Sequence, residues 1–565
     1  MSQSSGSEPK DDGGAVPAGK PAAASVDHQA TATTIAGSAA VVGFAVLCSR
    51  VLGLVREQAF AILFGAGYAF DAFVVAFRIP NLLRDLFGEG ALSAAFIAVF
   101  ANYHTNKGER ETWKLASNVL VFFAVFLSLL TLVGIFASEQ LVRLLVQDEF
   151  IAAPGKVELT ARLTAIMFPF LVLVSLAAVV MGALNTKGKF FVPAMASSFF
   201  NLGAVLGGVG LALLLPRFDQ PAIVGMAIGI LIGGVLQLLW QLPALYKTGF
   251  RFTFHLDLRD PGLRRILYLM LPAVVGLAPL QLNILINTWF ASSLAEGTLS
   301  WLNYAFRLFW LPVGLFGVAL SVATMPVVSR FAAERDMPRL RQTYASSLSM
   351  AFCLSIPATL GLMLLAEPVI RVIFQHGRFD IAATIGTAEV LACYAVGLFA
   401  YTAVKIMVPV FYALDRPRYP VIGSFLTMVV NLLFILATIE WLQHRALALS
   451  ISVAMIANFI FLNLMLYRTV GGYPLAPVFR GLGKIILASL VMTVWLYWLR
   501  GVLFPGGLSE DRLLLDILAL GACIASGATL YGLLLHRLQL PELTMLVEKI
   551  AGRFKKRPAP NNEQI

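Results

Sequence analysis

The chain has 565 residues, of which 59% are hydrophobic and 13% charged, and its formal net charge is +11; its mean hydropathy is +0.81. A soluble protein carries about 25% charged residues, so the composition excludes a water-soluble globular fold and points to an all-α polytopic membrane protein. Anionic lipid headgroups account for the positive balance, and no nucleic-acid partner is needed.

Residues 1–33 are rich in Ser, Gly, Ala and Pro, with both signs of charge at Lys10, Asp11, Asp12 and Lys20, and read as a disordered tail. The first apolar stretch starts late, is long and holds Arg50 and Arg56, which argues for a spanning helix rather than a cleaved signal peptide. Runs long enough to cross about 30 Å of hydrocarbon recur fourteen times, near residues 35–64, 70–101, 113–137, 160–184, 190–215, 222–245, 265–291, 298–327, 344–366, 386–412, 421–440, 446–467, 482–499 and 513–535. With an even number of spans and the N-terminus inside, the internal loops carry nineteen Lys plus Arg against about eight outside, so both termini are expected in the cytoplasm. The basic tail with Arg553, Lys555, Lys556 and Arg557 falls on the same side. The four cysteines are scattered singly without metal-ligand spacing, and the six histidines lie in the tail, in loops or at helix ends.

An internal repeat organises the spans. Ala76-Phe77-Arg78, Leu86-Phe87-Gly88 and Ala91-Leu92-Ser93 return as Ala305-Phe306-Arg307, Leu315-Phe316-Gly317 and Ala319-Leu320-Ser321, an offset of 229 residues that slips by one at the end. A weaker echo sets Ala183-Leu184-Asn185, Pro193 and Asn201 against Ala413-Leu414-Asp415, Pro420 and Asn431. Span 2 thus matches span 8 and span 4 matches span 10, so the repeat unit is six helices in parallel topology, a transporter plan that places a substrate site between the halves. The expected architecture is a disordered tail (1–33), an N-lobe (34–247), a C-lobe (248–470), two extra helices (471–537) and a basic tail (538–565).

Charge is concentrated where hydrocarbon tolerates it least. The first two spans hold Arg50, Arg56, Glu57, Arg78, Arg84, Asp85 and Glu89, with Asp71 at the mouth of the second, and each charge at mid-bilayer costs about 2.5–3.5 kcal/mol on insertion scales. On span 2, Asp71, Arg78, Asn81, Asp85 and Glu89 project within about 80° of one another, with Arg84 about 60° off the edge. Span 8 adds Ser300, Asn303 and Arg307, span 7 adds Gln281, Asn283 and Asn287, and span 10 aligns Tyr394, Tyr401 and Lys405. Two readings stand for these charges: ion pairs that lock helices together, with Glu57, Asp71, Asp85 and Glu89 as partners and switches, and a cationic site for an anion. Arg50, Arg56, Arg78, Arg84 and Arg307, with Asn81 and Lys405, are the candidate ligands, because a guanidinium binds phosphate in bidentate fashion and stays charged.

No P-loop, HExxH, GxSxG or protein-kinase signature is present, and Gly203 to Gly210 reads as close helix packing inside a span. No cofactor is expected. The membrane potential is the expected driving force, since each negative charge carried out of an inside-negative cell gains about 2.3 kcal/mol per 100 mV. An enzyme acting on a membrane lipid, with Asp85 and Glu89 as acid and base, is the alternative from another class.

The run Ser49-Arg50-Val51-Leu52-Gly53-Leu54-Val55-Arg56-Glu57, then Phe64-Gly65-Ala66-Gly67, Asp71-Ala72-Phe73, Arg78-Ile79-Pro80-Asn81-Leu82-Leu83-Arg84 and Glu89-Gly90-Ala91, closely resembles the MurJ/MviN lipid II flippases of the multidrug/oligosaccharidyl-lipid/polysaccharide exporter superfamily. Ile286-Asn287-Thr288, Tyr304-Ala305-Phe306-Arg307, Lys405 and Pro409 extend the resemblance. It implies fourteen helices in a bacterial inner membrane, two six-helix lobes around a cationic cavity, and spans 13 and 14 forming a groove for a lipid tail. The implied cargo is lipid II, the undecaprenyl-pyrophosphate-linked peptidoglycan precursor, carried outward by alternating access for cell-wall synthesis, with membrane lipids and cell-wall synthesis proteins as further partners. Arg50, Arg56, Asp71, Arg84 and Arg307 match functionally important cavity positions of the family, and Glu57 and Glu89 match acidic ones. The chain departs from the pattern at Phe306, where many relatives carry Asp, and in spans 7, 11 and 12, whose interiors lack the acids that bind sodium in some relatives, so sodium coupling is not expected. Another polyprenyl-linked glycan as cargo, or a drug exporter of the same superfamily, is the alternative among transporters.

Overall fold

The computed structural model describes residues 24–504 and 513–540, without the side chains of residues 24–41 and Glu89. Most of the two expected tails, and the side chain of the candidate Glu89, therefore lie outside the described residues.

Hydrocarbon offers no partner to backbone N–H and C=O groups, so a chain this apolar satisfies them internally as helices, and among the described residues there is no strand. Helix α1 (Ala24–Phe64) leads into α2 (Tyr68–Arg84), α3 (Ala91–Asn106) and α4 (Gly108–Phe136), followed by the short α5 (Ser138–Leu145) and α6 (Asp148–Ala152). Next come α7 (Lys156–Met167), α8 (Phe170–Thr186), α9 (Phe191–Leu214) and α10 (Ala222–Lys247). The second half runs through α11 (Pro261–Ala291), α12 (Thr298–Pro312), α13 (Ala319–Ala333), α14 (Met337–Leu364), α15 (Ala366–Phe374), α16 (Ile381–Ala395), α17 (Leu398–Ala413), α18 (Arg418–Leu442) and α19 (His444–Thr469), and then α20 (Leu475–Leu503) and α21 (Leu513–Arg537). Asp260, Asp336 and Asp380 open α11, α14 and α16 by accepting backbone N–H bonds at their N-termini.

Twelve helical stretches among the described residues are long and apolar enough to cross a membrane, or thirteen when α16 and α17, bent by 46°, count as one span. The sequence led to an expectation of fourteen, and its first span falls on α1, which is outside those twelve. Helix α1 also begins at Ala24, ahead of the expected boundary at residue 34. Its first turns are rich in alanine, the residue that loses least on entering a helix.

The sequence repeat is visible as repeated irregularity. Span 2 is interrupted by a π turn at Asp85–Glu89 and span 8 by one at Val313–Val318, and the recurring Leu-Phe-Gly triplets sit inside them. Span 4 breaks between α7 and α8 at Phe168-Pro169, and span 10 between α16 and α17 at Val396-Gly397. The short α5 and α15 follow spans 3 and 9 in the same way.

Close packing is tightest between α9 and α10. Gly225, Gly229 and Gly233 recur every fourth residue and face Ala212, Gly208 and Phe200; a Cβ at Gly229 would strike the Gly208 backbone. Small residues at this spacing let two backbones approach where apolar surface alone gives helices no reason to associate in lipid. One apolar cluster crosses between the halves, joining Phe60, Phe70 and Phe73 to Tyr304, Phe374 and Phe379. Helix α11 also belongs to both: Leu263, Ile266 and Met270 pack with α3 and α4, while Leu285, Ile286 and Phe290 pack on the shared cluster. Pro272 and Pro279 lie between these stretches.

Candidate functional site

Glu57 is the centre of the buried charge. It is 4% exposed, and its Oε1 accepts a hydrogen bond of 2.8 Å from Nη2 of Arg56 and lies 3.3 Å from Nε of Arg307, across the boundary between the halves. Arg56 is fixed at further points: its Nη1 donates to Oδ1 of Asn201 at 3.1 Å, Nδ2 of Asn201 donates to the Ser49 carbonyl at 3.1 Å, and the guanidinium lies 5.6 Å from the Phe200 ring centroid. Arg307 has less to hold it, and its side chain is 48% exposed.

These groups line a cavity of about 70 Å³ together with Arg78, Asn81 and Asn303, walled on one side by Phe60, Phe70, Phe73 and Phe77. Nε of Arg78 is buried without a hydrogen-bond partner, and among the described residues no carboxylate pairs with Arg78. Three guanidiniums therefore face one described carboxylate. A buried cation without a partner costs several kcal/mol, and an anion entering the cavity removes that cost.

The other candidates do not line this cavity. Arg84 pairs with its neighbour Asp85, Nη2 to Oδ1 at 2.8 Å, and Nε2 of Gln281 donates to the other oxygen of Asp85 at 3.1 Å. Arg50 is exposed on α1, and its guanidinium fills the space that a Cβ at Gly314 would need, beside the π turn of span 8. Lys405 is exposed and sits 5.4 Å from the Trp310 ring centroid. Glu57 and Asp85 thus pair with arginines, whereas Asp71 does not.

Asp71 belongs to a second polar centre, at the end of the molecule where α1 finishes and α2 begins. It is 2% exposed; one oxygen accepts from the Gly297 N–H at 2.8 Å and the other from the Ser300 N–H at 3.0 Å and the Ser300 hydroxyl at 2.6 Å. Gly297 adopts φ 93°, a left-handed conformation that glycine enters without strain and that precedes the first turn of α12. A carboxylate from α2 therefore caps a helix of the other half, where free N–H groups and the helix dipole favour negative charge. The exchange is reciprocal, since Oε1 of Glu296 accepts from the Tyr68 N–H at the start of α2 at 2.8 Å. Lys156 of α7, 3.5 Å from Asp71, supplies the counter-charge. The Tyr304 hydroxyl donates to the Gly65 carbonyl at 3.0 Å and the Arg378 N–H to the Ile62 carbonyl at 3.0 Å, so the halves are joined across this end.

Sequence reasoning missed Lys156 and Glu296 as members of this centre and assigned Asn201 no part in holding Arg56. The available signals were a lysine on the first turn of a spanning helix and a repeat position occupied by Asn in both halves.

The family model described as "Lipid II flippase MurJ" matches residues 60–510. "Probable lipid II flippase MurJ" of Buchnera aphidicola subsp. Acyrthosiphon pisum is 36% identical over 451 residues, covering 80% of this chain and 87% of that protein. "Lipid II flippase MurJ" of Burkholderia cenocepacia is 35% identical over 503 residues, covering 87% and 95%. Among solved structures, "Lipid II flippase MurJ, inward closed conformation" superposes with a TM-score of 0.71 at 26% identity, covering 88% of this chain and 99% of that one. An inward-facing multidrug resistance MATE family transporter of the MOP superfamily superposes with a TM-score of 0.61 at 16% identity, covering 74% and 95%, a likeness of fold alone.

Proposed function

This chain belongs to the MurJ family of lipid II flippases, and on that premise we propose how its own residues move lipid II from the inner to the outer leaflet of a bacterial inner membrane. The protein is a transporter and makes no covalent change to its cargo. The observation that carries the reading is the shared carboxylate: Arg56 on one half and Arg307 on the other meet on Glu57 beside Arg78, in a cavity walled by both halves.

A pyrophosphate entering the cavity offers these guanidiniums more negative charge than Glu57 does, so the arginines can exchange one anion for the other. The polar headgroup stays inside while the polyprenyl tail remains in lipid. Arg50, Arg84 and Lys405 lie outside the cavity lining and would attract the anionic headgroup on its way in or out. The joined end around Asp71 faces outward in this reading, with both termini in the cytoplasm as the basic loops require. Release of that end and closure of the other would present the headgroup outside.

With α1 as the first span the chain has fourteen, arranged as two parallel six-helix lobes (34–247 and 248–470), with α20 and α21 (471–537) forming a groove for the tail. Two negative charges moving outward gain about 4.6 kcal/mol per 100 mV, so the potential suffices as driving force without a cofactor or coupled sodium. The test is the sidedness of lipid II in cells depleted of the protein, read by whether an enzyme added outside cleaves it. Wild type should restore cleavage, and Arg56→Ala and Arg307→Ala should not; unchanged cleavage on depletion, in cells with no second flippase, would overturn the reading.

A further inference from the structure

The arginine cavity adjoins a second chamber of different chemistry. It has a volume of about 110 Å³ and is lined by Asn283, Asn287 and Thr288 of α11, Asn303 of α12, Tyr394 of α16 and Tyr401 of α17. Arg78 and Asn303 line both spaces, and Arg78 is the one charged residue among those lining the chamber.

Several polar groups in this chamber have no hydrogen-bond partner among the described residues. Oδ1 of Asn287 is buried without a hydrogen bond, although its Nδ2 donates to the Asn283 carbonyl at 2.8 Å. The Tyr394 and Tyr401 hydroxyls and the Asn303 amide make no hydrogen bond among the described residues. Buried polar groups of a finished core are nearly all paired, so the unused Asn287 oxygen, with unpaired hydroxyls and an amide facing the same cavity, marks a site rather than packing. Aromatic surface borders it: Tyr394 lies 5.6 Å from Phe306, and Tyr401 lies 5.1 Å from Phe309.

We propose that this chamber is the glycan subsite, taking an uncharged N-acetylated sugar while the arginine cavity takes the pyrophosphate. An asparagine amide both donates and accepts, and so complements an acetamido group reciprocally. Tyrosine hydroxyls do the same for sugar hydroxyls, and aromatic rings pack against the apolar face of a pyranose. Fixed charge would add nothing for such a ligand, and the chamber has none of its own beyond the shared arginine. Connectivity makes the same demand: the first sugar is bonded directly to the pyrophosphate, so the two subsites must touch and share wall residues, as they do at Arg78 and Asn303. The chamber's other polar walls all belong to the second half of the chain, so the sugar would travel with that half.

This inference rests on the flippase reading, and binding to the purified full-length protein in nanodiscs separates the two. Three probes are needed: undecaprenyl pyrophosphate, the same lipid carrying one N-acetylhexosamine and no peptide, and lipid II. Wild type should bind the sugar-bearing probe about tenfold tighter than the bare pyrophosphate. Asn287→Ala and Tyr401→Phe together should remove most of that advantage and leave bare pyrophosphate binding unchanged, while Arg307→Ala should weaken all three. Tyr401→Phe alone deletes a single oxygen, so a partial loss there keeps the test valid if the double variant misfolds. An unchanged sugar advantage overturns the subsite, as does an equal loss for bare pyrophosphate; a loss confined to lipid II overturns it too, by giving the chamber to the peptide. Wild type that binds none of the three overturns the flippase reading and the subsite with it.

Discussion

Asp71 and Glu57 are both buried carboxylates at the boundary between the halves, 2% and 4% exposed, yet their surroundings differ in how fully polar capacity is used. Asp71 accepts three hydrogen bonds from one loop and helix start and has Lys156 as its counter-charge. Glu57 shares a single oxygen between two arginines, and a third arginine beside it has no described carboxylate. The first arrangement is complete without a ligand and joins two surfaces; the second carries surplus positive charge that a ligand would neutralise. Satisfaction of polar groups, more than their number, separates a latch from a binding site.

The largest test of this contrast is at the incomplete centre. Arg307→Ala should reduce outer-leaflet lipid II at least tenfold in the cleavage assay, and Arg307→Lys should recover part of the loss, because an ammonium keeps the charge but not the planar fork. Equal activity of the alanine variant would mean that the cavity, like the latch, is structural. At the complete centre, Asp71→Asn removes a charged acceptor of several hydrogen bonds and orphans Lys156. Each hydrogen bond to a charged group contributes about 1.5–3 kcal/mol, so spin labels across the joined end should report a longer mean distance in the variant. Adding Lys156→Met should reverse part of that shift by removing the unpaired cation; no reversal would show that the weakened cap alone, and not the orphaned cation, opens the end. Away from both centres, Gly229→Ala should cost about 1–3 kcal/mol by overpacking the seam of α9 and α10, seen as a lower melting temperature with pyrophosphate binding intact. Glu296→Gln is the mildest change: the exposed side chain keeps an acceptor for the Tyr68 N–H, so the closed–open equilibrium, read by the same spin labels, should shift by less than about 0.5 kcal/mol.

Much of this was legible in the sequence because periodicity carries it. The offset between Leu86-Phe87-Gly88 and Leu315-Phe316-Gly317 became matching π turns, and the angular stripe of Arg78 and Asn81 became a cavity wall. Arg84, which lay off that stripe, pairs with Asp85 instead of lining the cavity. The partners of Asp71 were not legible. Lys156 is 85 residues away in the same half and Gly297 is 226 away in the other, and no spacing rule relates residues that meet only when separate helices pack together. For the same reason the chamber of Asn287 and Tyr401 could be seen as residue types on separate helices but not as one space.

The reciprocal caps have a consequence for the solvent. The N-terminus of α12, the Asp71 carboxylate and the Lys156 ammonium are buried together at the joined end, and parting the halves must supply them with water. The conformational equilibrium is therefore a hydration equilibrium, with the opened form binding more water than the closed one. Excluded solutes such as sucrose, which lower water activity and disfavour newly wetted surface, should hold the protein closed and slow its turnover, in proportion to their osmotic pressure and independently of the membrane potential.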